Sequence, residues 1–167
     1  MKHIEIIDNI LSEKQKYEIF KYVKEAKYIF GIADSLDGKP SGLSHQDDLP
    51  DDFLKIINND LFPRIKNWDL NKYYLCKTVV NLFIPGETPN FHKDLLDGIT
   101  ILYYCNLNYD VDDGGETYFI NMDDNTTLTG IMPIPGRFVI FDGNILHRAS
   151  SFNNKHRFTI ALQYALK

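Results

Sequence analysis

The chain beyond Asn71 is a succession of short runs rich in β-branched and aromatic residues, which restricts the fold more than any other feature. Turn-forming sequences such as Pro85-Gly86 and Pro135-Gly136 separate the runs. Many short strands with turns at this spacing are typical of a β-sandwich or jelly roll. The pattern therefore predicts a mainly β core over about 73–167, with strands near 73–84, 98–107, 116–120, 128–134, 137–141, 145–152 and 157–166.

The preceding part of the chain, about 1–70, carries helical signals. Ser12 followed by Gln15 matches a capping box, which predicts the start of a helix. A second helix is expected to begin at a cap formed by Asp51 or Asp52 and to break at Pro63. The elements expected there are a strand, a helix, a strand and a second helix, at 3–7, 13–27, 28–32 and 51–62. The fold class is thus α+β, mainly β, with about two N-terminal helices that buttress the core.

Composition supports one domain, 1–167, because a chain of 167 residues and 19.4 kDa can bury a single core. The net charge is −5 and no Lys/Arg cluster is present, so a nucleic-acid partner is not favoured. Cys76 and Cys105 lie in apolar runs without metal or redox spacing and are expected to be reduced core thiols. No apolar signal-peptide core and no run of membrane-spanning length occurs, so we expect a cytoplasmic protein.

Candidate metal ligands occur at two places that are distant in sequence. His92 and Asp94 are two residues apart, and in extended chain such residues point to the same face. His147 follows 53 residues after Asp94 (147 − 94 = 53), after a strand that ends in Phe141-Asp142-Gly143. Two His and one carboxylate on one face of a metal, with the other positions open, form the ligand set of non-haem Fe(II) oxygenases.

A second His-x-Asp pair, His45-Gln46-Asp47, competes with the first. It lies within 33–50, a stretch whose Gly, Ser, Pro and Asp content predicts a loop. Such a loop would not hold two side chains on one rigid face, so we favour His92 and Asp94. A loop of this length is either a solvated connection or a mobile flap over a substrate entrance, and we take 33–50 as a candidate lid.

The last predicted strand carries Arg157 and Thr159 on one face. A guanidinium offers a planar fork for a carboxylate, and the Thr hydroxyl adds a donor beside it. An Arg that points inward from an apolar strand is costly unless an anion neutralises it. The alternative is an Arg at the start of the strand that faces water. In combination with the His-x-Asp and His147 set, we favour the carboxylate-binding interpretation.

From about 76 to 165 the sequence resembles the 2-oxoglutarate- and Fe(II)-dependent oxygenases, specifically the prolyl 4-hydroxylase-like branch. The resemblance rests on six short motifs in order: His92-Lys93-Asp94, Thr100-Ile101-Leu102-Tyr103-Tyr104, Gly114-Gly115-Glu116-Thr117, Pro135-Gly136-Arg137, His147 and Arg157-Phe158-Thr159. It implies that the core is a double-stranded β-helix and that Fe(II) is bound by His92, Asp94 and His147. It also implies that Arg157, aided by Tyr104 and Thr159, binds the distal carboxylate of 2-oxoglutarate.

The implied activity is hydroxylation by O2, with release of succinate and CO2, and His92, Asp94, His147 and Arg157 would be the catalytic set. A prolyl residue in a peptide or protein is the substrate class that this branch suggests, and ascorbate is a candidate additional cofactor. Two alternatives stay open: an oxygenase of a free amino acid or other small molecule, and a non-catalytic jelly-roll module that binds metal.

Three positions bear on the kind of relative. Ile84 stands before Pro85-Gly86, where many relatives have a Tyr that helps to hold the cosubstrate. Gln163 replaces a common aromatic, and it also stands where nucleic-acid demethylases have a second Arg. Asp94 argues against the halogenating relatives, which have a small residue there. The departures at Ile84 and Gln163 affect the lining of the pocket and leave the implied iron ligands intact.

Overall fold

A computed structural model of the protein describes residues 3–30, 42–46 and 48–167, and two antiparallel sheets dominate it. The elements, in chain order, are β1 (Ile4–Ile7), α1 (Glu13–Glu25), β2 (Ile29–Phe30), β3 (Leu43–His45), α2 (Asp51–Ile56), β4 (Tyr73–Phe83), β5 (Gly98–Tyr104), β6 (Thr117–Ile120), β7 (Leu128–Ile131), β8 (Phe138–Asp142), β9 (His147–Ala149) and β10 (Arg157–Leu166). Short 3-10 turns occupy Leu70–Lys72 and Val111–Asp113.

The larger sheet has seven strands in the order β1-β8-β5-β10-β4-β3-β2, and the smaller has the order β7-β6-β9. β10 lies in the middle of the larger sheet, where it pairs with β4 along its whole length and with β5 from Thr159 to Ala165. Two facing antiparallel sheets with these connections form a jelly-roll core, as the sequence predicted.

The first predicted helix is present and its cap is confirmed. The Gln15 backbone N–H donates to Ser12 Oγ over 3.4 Å, and the Ser12 backbone N–H donates to Gln15 Oε1 over 2.8 Å. These bonds satisfy N–H groups that have no partner inside the helix. Ile19 and Val23, one turn apart, are buried against the larger sheet.

The predicted cap of the second helix is wrong. Pro50 precedes α2 and no side chain caps it, while Asp51 and Asp52 lie in the first turn, where their charges face the positive end of the helix dipole. The chain continues as a π-helix over Ile57–Leu61 and a 3-10 turn over Phe62–Arg64. Pro63 thus falls where the helix tightens and ends, as predicted.

Two apolar clusters lie on opposite faces of the larger sheet. The first packs α1 and α2 onto one face, with buried side chains that include Val23, Phe53 and Tyr103. The second fills the space between the two sheets and includes Leu102, Phe119 and Phe141. The helices therefore buttress one face, and the opposite face is left to form a site between the sheets.

The N-terminal part also contributes strands to the core sheet. β1 pairs with β8, and β3 pairs with β4 through Leu43↔Leu82, Ser44↔Asn81 and His45↔Val80. The predicted loop over 33–50 is therefore wrong at 43–45, where pairing with β4 imposes an extended conformation. Residues 33–41 and 47, which belong to the candidate lid, lie outside the described residues, as do 31 and 32 of the strand predicted at 28–32.

Both cysteines are free thiols, but only one lies in the core. Cys105 is 1% exposed, and burial raises its pKa well above the ordinary value. Cys76 is exposed, contrary to expectation, because it falls at an irregularity of the β4–β10 pairing between Gln163 and Tyr164. Among the described residues, none of the helices has the length and apolar character needed to span a membrane.

Candidate active site

The three predicted metal ligands are brought together by backbone pairing at the edge of the smaller sheet. The backbone groups of His92 and His147 exchange two hydrogen bonds of 2.9 Å, which form an isolated bridge beside β9. The Asp94 backbone N–H donates to Gly143 O over 2.9 Å, which fixes the chain after the bridge. The sequence pattern predicted that His92 and Asp94 lie in extended chain, but they are not part of a regular strand. Backbone pairing with distant residues fixes their positions instead.

The ligand atoms of His92, Asp94 and His147 all lie within 4.8 Å of one another. Asp94 Oδ1 is 3.5 Å from His92 Nε2, and Asp94 Oδ2 is 3.7 Å from His147 Nε2. Each Nδ1 lies near a backbone oxygen, at 3.1 Å from Asn90 O for His92 and at 3.0 Å from Ile145 O for His147. Because a carbonyl oxygen only accepts, these contacts put the proton on Nδ1 and the lone pair on Nε2. In the neutral rings both Nε2 lone pairs are thus available to a cation held beside the carboxylate of Asp94.

Asp94 is a buried carboxylate held in its charged form by its neighbours. Burial alone would raise its pKa, but His147, His92 and a hydrogen bond from Thr100 together lower the pKa below the ordinary value. The Thr100 hydroxyl donates to Asp94 Oδ2 over 2.6 Å. Since a metal ligand must be deprotonated, this environment prepares Asp94 to bind a cation. Thr100 was not predicted as part of the site, although it is the first residue of the motif Thr100-Ile101-Leu102-Tyr103-Tyr104.

The competing His45 lies on the opposite side of the larger sheet. Its ring lies near Tyr22 and Tyr28 on the helix side, and its Nδ1 is 3.1 Å from Lys27 O. The side chain is held in place, contrary to the expectation of a loose loop, but it is held away from His92 and His147. Asp47, the other member of that pair, is not among the described residues.

Arg157 is 1% exposed and lies in the same cavity as the three ligands. Its Nε donates to Gly115 O and its Nη2 donates to Thr117 Oγ1, each over 2.9 Å. None of the ion pairs found in the described parts of the chain involves Arg157. Burial lowers the pKa of the guanidinium, partly offset by Tyr104. A buried cation whose known partners are neutral is a strong attractor for an anion.

Thr159 and Tyr104 take different positions around this cation. Thr159 is 1% exposed and lines the cavity next to Arg157. Tyr104 does not line the cavity but packs against Arg157: the centre of its ring is 5.4 Å from the guanidinium carbon, and its hydroxyl donates to Thr117 Oγ1 over 2.7 Å. Thr117, which lines the cavity, accepts from both Arg157 and Tyr104, so its own proton can be donated elsewhere. Thr117 is a site residue that only the Gly-Gly-Glu-Thr motif could have suggested.

The cavity between the sheets extends from the three ligands to the guanidinium. Residues of both sheets line it: Asn81, Phe83, His92, Asp94, Thr100, Leu102, Thr117, Phe141, His147, Ala149, Arg157, Thr159, Ala161 and Gln163. Gln163 is 2% exposed and pairs with Thr100 across β5 and β10. Ile84, in contrast, is 43% exposed, and Phe83 is the residue at that end of β4 that lines the cavity.

The residues present fit Fe(II) and 2-oxoglutarate. Two imidazoles and one carboxylate occupy one side of the metal position and leave its cavity side open, which is the ligand set of non-haem iron oxygenases. A bidentate 2-oxo acid bound there could extend towards Arg157, whose donors suit a distal carboxylate.

Comparison with known proteins identifies the fold. No family model matches the chain, and no curated protein matches its sequence. A prolyl-4-hydroxylase from Pseudomonas putida superposes with a TM-score of 0.69 over 99% of this chain and 94% of that one, at 15% identity. A prolyl hydroxylase from Trichoplax adhaerens, in complex with a hypoxia inducible factor peptide, gives 0.75 over 99% and 84%, at 20% identity. The fold is that of the 2-oxoglutarate- and Fe(II)-dependent oxygenases.

A third structure with this oxygenase fold has a different kind of ligand. HygX from Streptomyces hygroscopicus, with nickel, 2-oxoglutarate and hygromycin B bound, gives a TM-score of 0.75 over 99% of this chain and 83% of that one, at 10% identity. The fold that the resemblance implied is thus confirmed.

Proposed function

We propose that this protein is an Fe(II)- and 2-oxoglutarate-dependent dioxygenase that hydroxylates its substrate with release of succinate and CO2. The observation that carries the proposal is the pairing of two sites in one cavity: His92, Asp94 and His147 at one end and the buried guanidinium of Arg157 at the other. A structural metal site would need no buried cation beside it. A ligand with a metal-binding end and a carboxylate end fits this arrangement.

The roles of the side chains follow from their positions. His92, Asp94 and His147 hold the iron, which supplies the activation of O2 when bound. Thr100 fixes the orientation of the Asp94 carboxylate. Arg157 and Thr159 receive the distal carboxylate of 2-oxoglutarate, and Thr117 and Gly115 O hold the guanidinium in place. The apolar side chains Leu102, Phe141 and Ala161 exclude water around the reacting groups.

The proposed substrate is a prolyl residue in a peptide or protein. The resemblance to prolyl 4-hydroxylases supports this class, and the peptide complex of the Trichoplax adhaerens relative shows that a peptide can be bound on this fold. The alternative is a small molecule, which the hygromycin B complex of HygX supports. The two readings share the iron and cosubstrate chemistry and differ in what the open side of the cavity receives.

The deciding experiment is incubation with Fe(II) and 2-oxoglutarate in air, with and without ascorbate, against Pro-rich peptides and free amino acids. A mass gain of one oxygen, with matching succinate, identifies the substrate class. Succinate formed without substrate still supports the dioxygenase. A protein that binds metal and forms no succinate under any of these conditions would be the non-catalytic jelly-roll module.

Variants test the residue roles. His92→Ala or His147→Ala should abolish succinate formation with the fold largely intact, because each removes an iron ligand. His156→Ala, at an exposed position next to Arg157, is the matched control and should keep full turnover. Arg157→Ala should mainly raise the KM for 2-oxoglutarate. Retained turnover in either His variant would exclude the ligand assignment, and an unchanged KM would remove Arg157 from the cosubstrate site.

A further inference from the structure

A row of buried polar side chains crosses the larger sheet at the level of the carboxylate end of the cavity. Tyr104 on β5 pairs with Thr159 on β10, Thr159 pairs with Asn81 on β4, and Asn81 pairs with Ser44 on β3. Directly opposed residues of antiparallel strands share a face, so all four side chains lie on the site face. None of the four is more than 6% exposed.

The two members of this row on β3 and β4, Ser44 and Asn81, each have a side-chain oxygen without a hydrogen-bond partner in the described part of the chain. Ser44 Oγ and Asn81 Oδ1 are buried and form no hydrogen bond with any of the described residues. Buried polar atoms are nearly always hydrogen-bonded in folded proteins, because an unpaired one costs stability that its removal would restore. Two adjacent orphaned atoms beside a cavity therefore indicate a role that requires a ligand.

Asn81 is also the hydrogen-bonding group that β4 contributes to the cavity lining. The two lining residues of β4 are Asn81 and Phe83. The Phe83 ring lies 5.6 Å from the guanidinium carbon of Arg157 and offers no donor to a carboxylate. The Asn81 side chain carries two N–H donors on Nδ2 and stands directly opposite Thr159.

We propose that Asn81 is a further positioning residue for the cosubstrate, with Nδ2 donating to the same distal carboxylate that Arg157 and Thr159 bind, and with Ser44 holding the amide. A carboxylate only accepts hydrogen bonds, so the amide must present its nitrogen and keep its oxygen away. A donor behind the oxygen enforces this orientation, and the neighbouring Ser44 hydroxyl is such a donor. A small movement on ligand binding that brings the Ser44 hydroxyl to Asn81 Oδ1 would thus give both atoms a hydrogen-bond partner. The inference rests on the proposed function.

The test compares the binding of two ligands, one with and one without a distal carboxylate, to the wild type and to Asn81 variants. Binding is measured by calorimetry on the anaerobic Mn²⁺-loaded protein. Asn81→Ala should weaken binding of 2-oxoglutarate by roughly tenfold to a hundredfold, the range for a hydrogen bond to a charged group. Binding of 2-oxobutyrate, which has no distal carboxylate, should not change. Asn81→Asp should weaken 2-oxoglutarate binding more than Asn81→Ala, because a second carboxylate would face the first. Ser44→Ala should cause a smaller loss, again specific to 2-oxoglutarate.

Thermal unfolding of the ligand-free protein separates this role from a structural one. Asn81→Ala removes an orphaned oxygen but also packing atoms, so the cleaner readout is Ser44→Ala, which should leave the melting temperature unchanged or higher. Tyr103→Phe is the matched control, since the buried Tyr103 hydroxyl is also orphaned but lies on the helix side. It should likewise not lower the melting temperature, and it should leave the affinity for 2-oxoglutarate at the wild-type value.

Each outcome has a defined meaning. Wild-type affinity for 2-oxoglutarate in Asn81→Ala overturns the inference, and so does an equal loss for 2-oxobutyrate, which would show general damage to the cavity. If Asn81→Ala does not fold, wild-type affinity in Ser44→Ala overturns the inference in its place. Failure of the wild-type protein to bind 2-oxoglutarate overturns the proposed function itself and is recognised before any variant is measured.

Discussion

The hydrogen bond from Thr100 to Asp94 offers a direct way to test the metal site without touching a ligand. The donor and acceptor are 2.6 Å apart, and the two residues are 1% and 7% exposed. Thr100→Val removes the hydroxyl and keeps the shape of the side chain, so no cavity is created. A hydrogen bond to a charged group contributes about 1.5–3 kcal/mol, and solvent cannot replace this one because both groups are buried.

That free energy corresponds to a factor of about 10–150 in a dissociation constant. Metal sites lose about 10- to 100-fold in affinity when a hydrogen-bond partner of a ligand is removed, which is the same range. We therefore expect Thr100→Val to weaken Mn²⁺ binding by about 10- to 100-fold. The fold should persist, because Asp94 keeps its backbone bond to Gly143 and its contacts with both imidazoles.

The assay is calorimetric titration of the metal-free protein with Mn²⁺ under anaerobic conditions. Thr100→Ser keeps the hydroxyl and should bind nearly as the wild type does. Thr78→Val makes the same chemical change on the helix-facing side of β4, opposite Leu162, and should leave metal affinity unaltered. A Thr100→Val protein with wild-type Mn²⁺ affinity would refute the view that this bond positions Asp94 for the metal.

Two further predictions concern a glycine that supports Arg157 and a carboxylate in a surface turn. Gly115→Ala should lower the free energy of unfolding by about 1–3 kcal/mol, because φ is +84° and an added Cβ would lie 2.4 Å from Phe152. It should also weaken 2-oxoglutarate binding, because Gly115 O accepts a hydrogen bond from Arg157. Urea unfolding checks this against Gly86→Ala, where φ is +87° but nothing lies within 4 Å; equal losses would show that backbone strain alone acts. For Asp124, hydrogen bonds from Thr127 and from the backbone of Thr126 and Thr127 lower the pKa from 3.8 to about 2. The lowered pKa stabilises the fold above pH 3.8, and this stabilisation is lost as the pH falls through about 2. The difference in melting temperature between wild type and Asp124→Asn should therefore shrink as the pH falls from 3.8 to about 2. A difference that stays constant over this range would contradict the prediction.

Local patterns in the sequence were sufficient for the elements with a local cause. The capping box predicted α1, and the alternation of turn residues with β-branched runs predicted the strands of the core. The three-residue strand β3 has no such cause. Its sequence, Leu43-Ser44-His45, is typical of a loop, and it becomes a strand because it pairs with β4, nearly forty residues away, and with β2. A strand whose extended form depends on a distant partner leaves no periodic signal.

The residues that meet at the cavity were largely predictable from the sequence, and their geometry was less so. Residue types and spacing pointed to His92, Asp94, His147 and Arg157, which the structure gathers around one cavity. Which residue of β4 faces that cavity was not predictable, because a shift of one position exchanges the two faces of a strand. Ile84 was expected to affect the lining of the pocket, whereas Phe83 and Asn81 are the β4 residues that line the cavity. Thr117 and Thr100 were not predicted as supports because their hydrogen bonds, to side chains of other strands and to Asp94 outside any strand, have no counterpart in sequence spacing.

The reciprocal backbone bonds between His92 and His147 would let amide hydrogen exchange report how far the proposed metal site is occupied. These two residues provide both the proposed ligand atoms and the amide groups that join the two chain segments. A ligand that binds only the joined state raises the free energy of opening the junction. The increase is about 2.7 kcal/mol at a free ligand concentration one hundred times the dissociation constant. Amide hydrogen exchange at His92 and His147 would therefore slow about a hundredfold on loading, while exchange at α1 would stay the same. Protection of two hydrogens thus measures, without any turnover, how full the metal site is.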